Sequence, residues 1–65
     1  MKKYIAALVD GVGTQWVFEG WVRENPIWTK RENSDPKLMS SEAEAWEIAT
    51  DHAMLDETPK VILVE

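Results

Sequence analysis

Hydrophobic and polar positions divide the chain into five ordered segments, four with strand character and one helical. Lys3 to Val9 is apolar at both parities and β-rich, which predicts a strand at the sheet centre or covered on both faces. Asp10-Gly11-Val12-Gly13-Thr14 predicts a hairpin loop. Gln15 to Arg23 then alternates, with Trp16, Phe18 and Val22 on one side and Gln15, Val17, Glu19, Trp21 and Arg23 on the other, the pattern of a half-buried strand. Gly20 interrupts the apolar side where a bulky residue is expected, and predicts a bulge or a close approach of the helix backbone. Glu24-Asn25-Pro26 predicts the next turn and Ile27 to Arg31 a third strand. The register of this second hairpin decides whether Trp28 joins the core side or stands beside Trp21 on the outer side. The inner placement gives a small core more buried area and is the expected one.

The stretch from Ser40 to Leu55 carries the helical period. Ser41 is placed to cap the first turn, and Glu44 three residues on forms a capping box with it. Ala45, Trp46, Ile48, Ala49, Ala53 and Leu55 fall on one broad side, while Glu44, Glu47 and Asp51 share the other. The alanines let the helix approach a sheet, and Trp46 is expected to be the main anchor of the core, with Trp16 beside it. Asp56-Glu57-Thr58-Pro59 ends the helical pattern at a proline. Before the helix, Glu32 to Met39 predicts a polar connection, with Leu38 and Met39 tucked under the helix start. After it, Lys60 to Glu65 predicts a short strand apolar at every interior position, wanting cover on both faces.

The element order is strand, strand, strand, helix, strand. It predicts an α+β fold, β-β-β-α-β, with a mostly antiparallel four-stranded sheet in the order 3-2-1-4 and the helix packed on one face. A right-handed helical crossover is expected to bring the last strand parallel to the first. The opposite face, carrying Tyr4 or Ile5, Val17, Trp21 and their neighbours, is expected to stay open and to be closed by a second copy or a partner. This order, with Ser41-Glu42-Ala43-Glu44-Ala45 opening the helix, resembles the small antitoxin domains of the HicB type in topology and in those helix-start residues. The resemblance bears on the fold, not on function.

Length confines this picture to one domain, residues 1–65, with a thin core. The sequence has no Cys, which removes disulfide staples and thiolate metal sites and fits a reducing cytoplasm. No apolar run approaches the roughly 18 residues of a membrane span, and Met1 to Val9 lacks a signal-peptide pattern. The expected protein is soluble, unprocessed and cytoplasmic.

Charge is divided unevenly. Net charge is -5, and from Glu42 onward seven acidic residues face Lys60 alone, whereas six basic and five acidic residues precede them. A negative helix surface is therefore expected opposite a nearly neutral, Trp-containing one.

The chemistry-bearing residues are few. The two glycines of the first loop lack both the G-x-G-x-x-G completion and a following helix, so a phosphate cradle is not expected. His52, the sole histidine, lies by helix angle inside the apolar arc and is expected to be structural, near the helix C-terminus, where positive charge is favoured. No nucleophile and base are paired, and Glu44, Glu47 and Asp51 lack the oxygen-rich loop of a cation site. No catalytic residue, metal or cofactor is expected.

Four tryptophans in a chain of this length suit a binding surface. The expected function is that of a non-enzymatic protein-binding module, a small acidic inhibitor or accessory protein of phage or bacterial type. Its contact residues are Glu44, Glu47, Asp51, Trp21 and Trp28. A row of carboxylates can imitate nucleic-acid phosphates toward a nucleic-acid enzyme. The alternative is a single-stranded nucleic-acid module whose Trp21 stacks bases while Arg23, Lys30 and Arg31 neutralise phosphates.

Overall fold

The computed structural model describes residues 2–64. Strands β1 (Lys3–Val9), β2 (Gln15–Val22) and β3 (Asn25–Lys30) are followed by a short 3-10 turn (Arg31–Asn33), helix α1 (Glu42–His52) and strand β4 (Thr58–Val64). The sheet order is β3-β2-β1-β4, with α1 lying against β1 and β4. The expected α+β architecture is therefore present. β1 pairs on both sides, and its Ile5, Ala6, Ala7 and Leu8 are all buried, which accounts for its unbroken apolar run.

One pairing differs from expectation. β4 runs antiparallel to β1, from Lys3 opposite Val64 to Val9 opposite Thr58, where a parallel pair was expected. The cause is the connection after β3. It returns along the sheet before the helix begins, donating from Lys37 N–H to the Phe18 carbonyl at 2.9 Å. It then exchanges two backbone hydrogen bonds between Met39 and Tyr4, at 2.7 and 2.8 Å. β1 and β2 pair only from Ala7 to Val9, and this segment occupies the gap between their other ends. The helix consequently starts beside the beginning of β1 and travels the other way, so β4 must come back antiparallel. Met39 is buried as expected, whereas Leu38 is exposed.

The second hairpin turns at Arg23-Glu24, earlier than the expected Glu24-Asn25-Pro26, and Arg23 takes a positive φ of 59°. Asn25 and Pro26 belong to β3, an edge strand, where a proline's missing N–H can face outward. The expected bulge is present: pairing shifts between Phe18 and Gly20, and Gly20 has φ 129°. The extra residue flips the parity of the rest of the strand. Trp21, expected on the outer face, instead stands on the helix side, its ring 5.3 Å from that of Phe18. Trp28 opposes Phe18 and takes the inner placement, packed against the same cluster.

That cluster is built on Ala6, Leu8, Phe18, Met39, Ala45 and Ala49. Trp46 is not its anchor, because 44 % of it is exposed. Ala45 and Ala49 face the sheet and are fully buried, and Trp46 is turned about 100° around the helix from Ala45, onto the flank. The largest fully buried side chain among the described residues is Phe18, while Trp16 is half-buried against the same cluster. α1 ends at His52, short of the expected Leu55, which lies exposed in the following loop. Ser41 caps it as expected, its Oγ accepting from Glu44 N–H at 3.2 Å.

The outer face is less open than expected. Ile5, Ala7 and Val17 are buried there beside half-buried Ile62 and Val64. β4 begins at Thr58 and is an edge strand with Leu63 exposed, so it is not covered on both faces.

A candidate binding cleft beside the acidic helix

Because α1 covers only the β1–β4 half of its face, the aromatic side chains of β2 and β3 are left beside the helix end. A cleft of about 550 Å³ lies between them. Leu8, Trp16, Pro26 and Trp28 line it from the sheet. Asp51, His52, Ala53, Met54 and Glu57 line it from the helix end and the loop after it.

Asp10 positions one of these tryptophans. Its Oδ2 accepts from Trp16 Nε1 at 3.0 Å, while Oδ1 accepts from the N–H groups of Val12 and Thr14, each at 3.0 Å. Its own N–H bonds the Thr14 carbonyl and its carbonyl accepts from Gly13 N–H, so one residue closes the loop and fixes the indole. The Trp16 indole hydrogen bond, followed by those from the backbone, holds the Asp10 carboxyl below its ordinary value. On the Trp16 ring rests the Lys30 ammonium, 5.9 Å from the centroid.

On the helix side, His52 Nδ1 lies 3.0 Å from the Ile48 carbonyl oxygen, so in the neutral ring Nδ1 carries the hydrogen. The imidazole is seated against two indoles, 5.6 Å from Trp21 and 6.4 Å from Trp28 between centroids. It stands at the helix C-terminus on the packed side, the position expected for it. Glu57 shapes the next turn: its Oε1 accepts from Met54 N–H at 2.8 Å and its own N–H donates to the Met54 carbonyl at 3.0 Å. Asp51, Glu57 and the carbonyl end of α1 give this side of the cleft a negative potential.

The expected contact residues are only partly brought together. Asp51 and Trp28 both line the cleft. Trp21 adjoins it through His52 and is 47 % exposed. Glu44 and Glu47 are exposed on α1 and do not line it. Trp16, expected only in the core, is part of the lining, as are Met54 and Glu57, which no helical or strand period marks. Leu8 and Trp16 could have been found together from the first hairpin, because a loop of Asp10 to Thr14 sets Val9 opposite Gln15 and Leu8 opposite Trp16.

The basic set of the alternative reading is dispersed. Arg23 sits in the β2–β3 turn, whereas Lys30 ends β3, six residues long and thus about 20 Å in extent. Lys30 is engaged with Trp16, and Arg31 Nη1 donates to Gln15 Oε1 at 2.9 Å. Trp21 faces the helix end rather than these cations. Among the described residues, no three His, Asp or Glu side chains gather as a metal-ligand set. No described helix is long and apolar enough to cross a membrane. Comparison with protein-family models, with characterised proteins and with solved structures returns no match.

Proposed function

We propose that this chain is a non-enzymatic binding module that engages a basic surface of another protein through the acidic side of α1 and the adjoining cleft. The observation that carries the proposal is the double position of Asp51. It belongs to the exposed carboxylates Glu44, Glu47 and Asp51, and it also lines the cleft that holds Trp16 and Trp28. A recess with aromatic walls beside a charged, solvated rim is the arrangement in which a few anchors carry most of the affinity and charge governs steering and choice of partner.

The three carboxylates span eight residues of helix, a rise of about 10 Å. Phosphates on one nucleic-acid strand follow one another every 3.4 Å of axial rise, so three carboxylates on such a face present a comparable, sparser row of charge. A nucleic-acid enzyme with a basic groove is the partner such a row fits best. Inhibition by occupying that groove needs no reactive group on this chain.

The test is comparative capture from an extract of the native host. The parent protein and Glu47→Lys/Asp51→Lys serve as baits, both verified as folded by circular dichroism. A protein retained by the parent and lost by the double variant is expected. Equal retention on both baits excludes this face.

A further inference from the structure

Resting on the proposed binding role, we propose that the cleft receives an arginine side chain of the partner. The lining combines what a guanidinium on an aliphatic stem requires. Trp16 and Trp28 offer indole rings, and Leu8 and Pro26 offer apolar contact for the methylenes. Asp51 and Glu57 are the acidic residues of the same recess, Glu57 with Oε1 already accepting from Met54 N–H, and the C-terminal pole of α1 adds to their field.

Trp16 is prepared for a cation by its bond to Asp10. Its indole N–H is donated to the Asp10 carboxylate, which fixes the ring and increases its electron density. The Lys30 ammonium, 5.9 Å from the ring centroid, is the cation with which an incoming guanidinium shares this indole. A chain of net charge -5 attracts a basic segment before contact, and the cleft's volume of about 550 Å³ accommodates one long side chain with part of its neighbour. Arginine is favoured over lysine because its planar group can stack on indole and bind a carboxylate in two-pronged fashion, neither of which an ammonium does. His52, the other polar side chain of the lining, has Nδ1 engaged with Ile48 and leaves the carboxylates as the groups that meet the cation.

The experiment is a titration of the full, isotopically labelled chain with three capped peptides, monitored through the tryptophan indole N–H resonances by nuclear magnetic resonance. The peptides are acetyl-Gly-Arg-Gly-amide, its citrulline analogue, which has the same shape without the charge, and its lysine analogue. Saturable shifts of the Trp16 and Trp28 indoles are expected with the arginine peptide, with the citrulline peptide binding roughly tenfold or more weakly. Asp51→Asn is expected to weaken arginine binding several-fold while the backbone spectrum away from the cleft stays unchanged. Glu42→Gln, exposed at the start of α1, outside the cleft and about 13 Å of helix rise from Asp51, is expected to leave it within about twofold, since exposed charges separated by more than a Debye length are largely screened. Equal binding of the citrulline or lysine peptide, shifts confined to Trp21 or Trp46, or no saturable shift would each overturn the proposal. Because Glu47 contributes to the helix row and not to the cleft, a bait that loses its partner with Glu47→Lys/Asp51→Lys while the arginine peptide fails to bind separates a failed cleft assignment from a failed binding role.

Discussion

At the scale of single residues, Phe18 holds the buried anchoring place that was expected of Trp46. Phe18 is fully buried and Trp46 is not, so Phe18→Ala is expected to cost about 3–5 kcal/mol and to leave the chain largely unfolded. Trp46→Ala is expected to cost a small fraction of that, and chemical denaturation of the two variants measures both. Helical periodicity grouped Trp46 with Ala45, Ile48 and Ala49 on the packed side, whereas the structure leaves it 44 % exposed. It could not say that two alanines would set the contact line and leave the indole on the flank. Asp10 is the residue whose role the sequence concealed, since an aspartate before two glycines reads as turn chemistry alone. Its carboxyl is held below the ordinary value of 3.8, so the stabilisation it provides is complete above that value and is lost as pH falls through the lower folded value. Asp10→Asn is expected to melt below the parent at neutral pH, with the gap closing under acid as the parent's own carboxylate is protonated. A gap independent of pH would assign Asp10 no role as an anion.

At the scale of elements, the bulge at Gly20 decides where the β2–β3 aromatics stand. The glycine on the apolar side of an alternating strand was a legible sign of a bulge. Its consequence was not legible, because a bulge inverts the parity of every later residue, and only the observed pairing shows that Trp21 crosses to the helix side. An added Cβ at Gly20 meets no atom within 4 Å, so any cost of Gly20→Ala comes from its φ of 129°. A loss of roughly 1–3 kcal/mol is expected by chemical denaturation, together with a displaced Trp21 indole resonance. An alanine variant as stable as the parent would mean that the strand can relax to regular pairing. The direction of β4 is the other feature decided at this scale. Residues 31–41 can span about 36 Å when extended, more than the roughly 23 Å of β1, so the connection was long enough to recross the sheet. The sequence contains that length but no signal for the use made of it, which lies in backbone hydrogen bonds from Lys37 and Met39.

For the whole molecule, the division of charge and the division of cover coincide. The acidic half of the sequence supplies α1 and the loop after it, and the cleft lies between that half and the aromatic strands. Strand order and the number of layers were readable from alternation and from the single capped helix. The cleft was not, because it depends on the helix covering two strands of four. On the outer face Ile5, Ala7 and Val17 are buried, whereas Trp21, Trp46 and Met54 are exposed on the helix side. The most direct test of where this protein meets its partner is site-specific photo-cross-linking in the native host. The photoreactive residue is placed at exposed Thr50 on α1 or at exposed Lys60, whose neighbour across the sheet, Ala7, belongs to the outer face. A discrete cross-linked product from Thr50 and none from Lys60 is the expected result. A product from Lys60 alone would contradict the helix-side account and move the binding surface to the outer face.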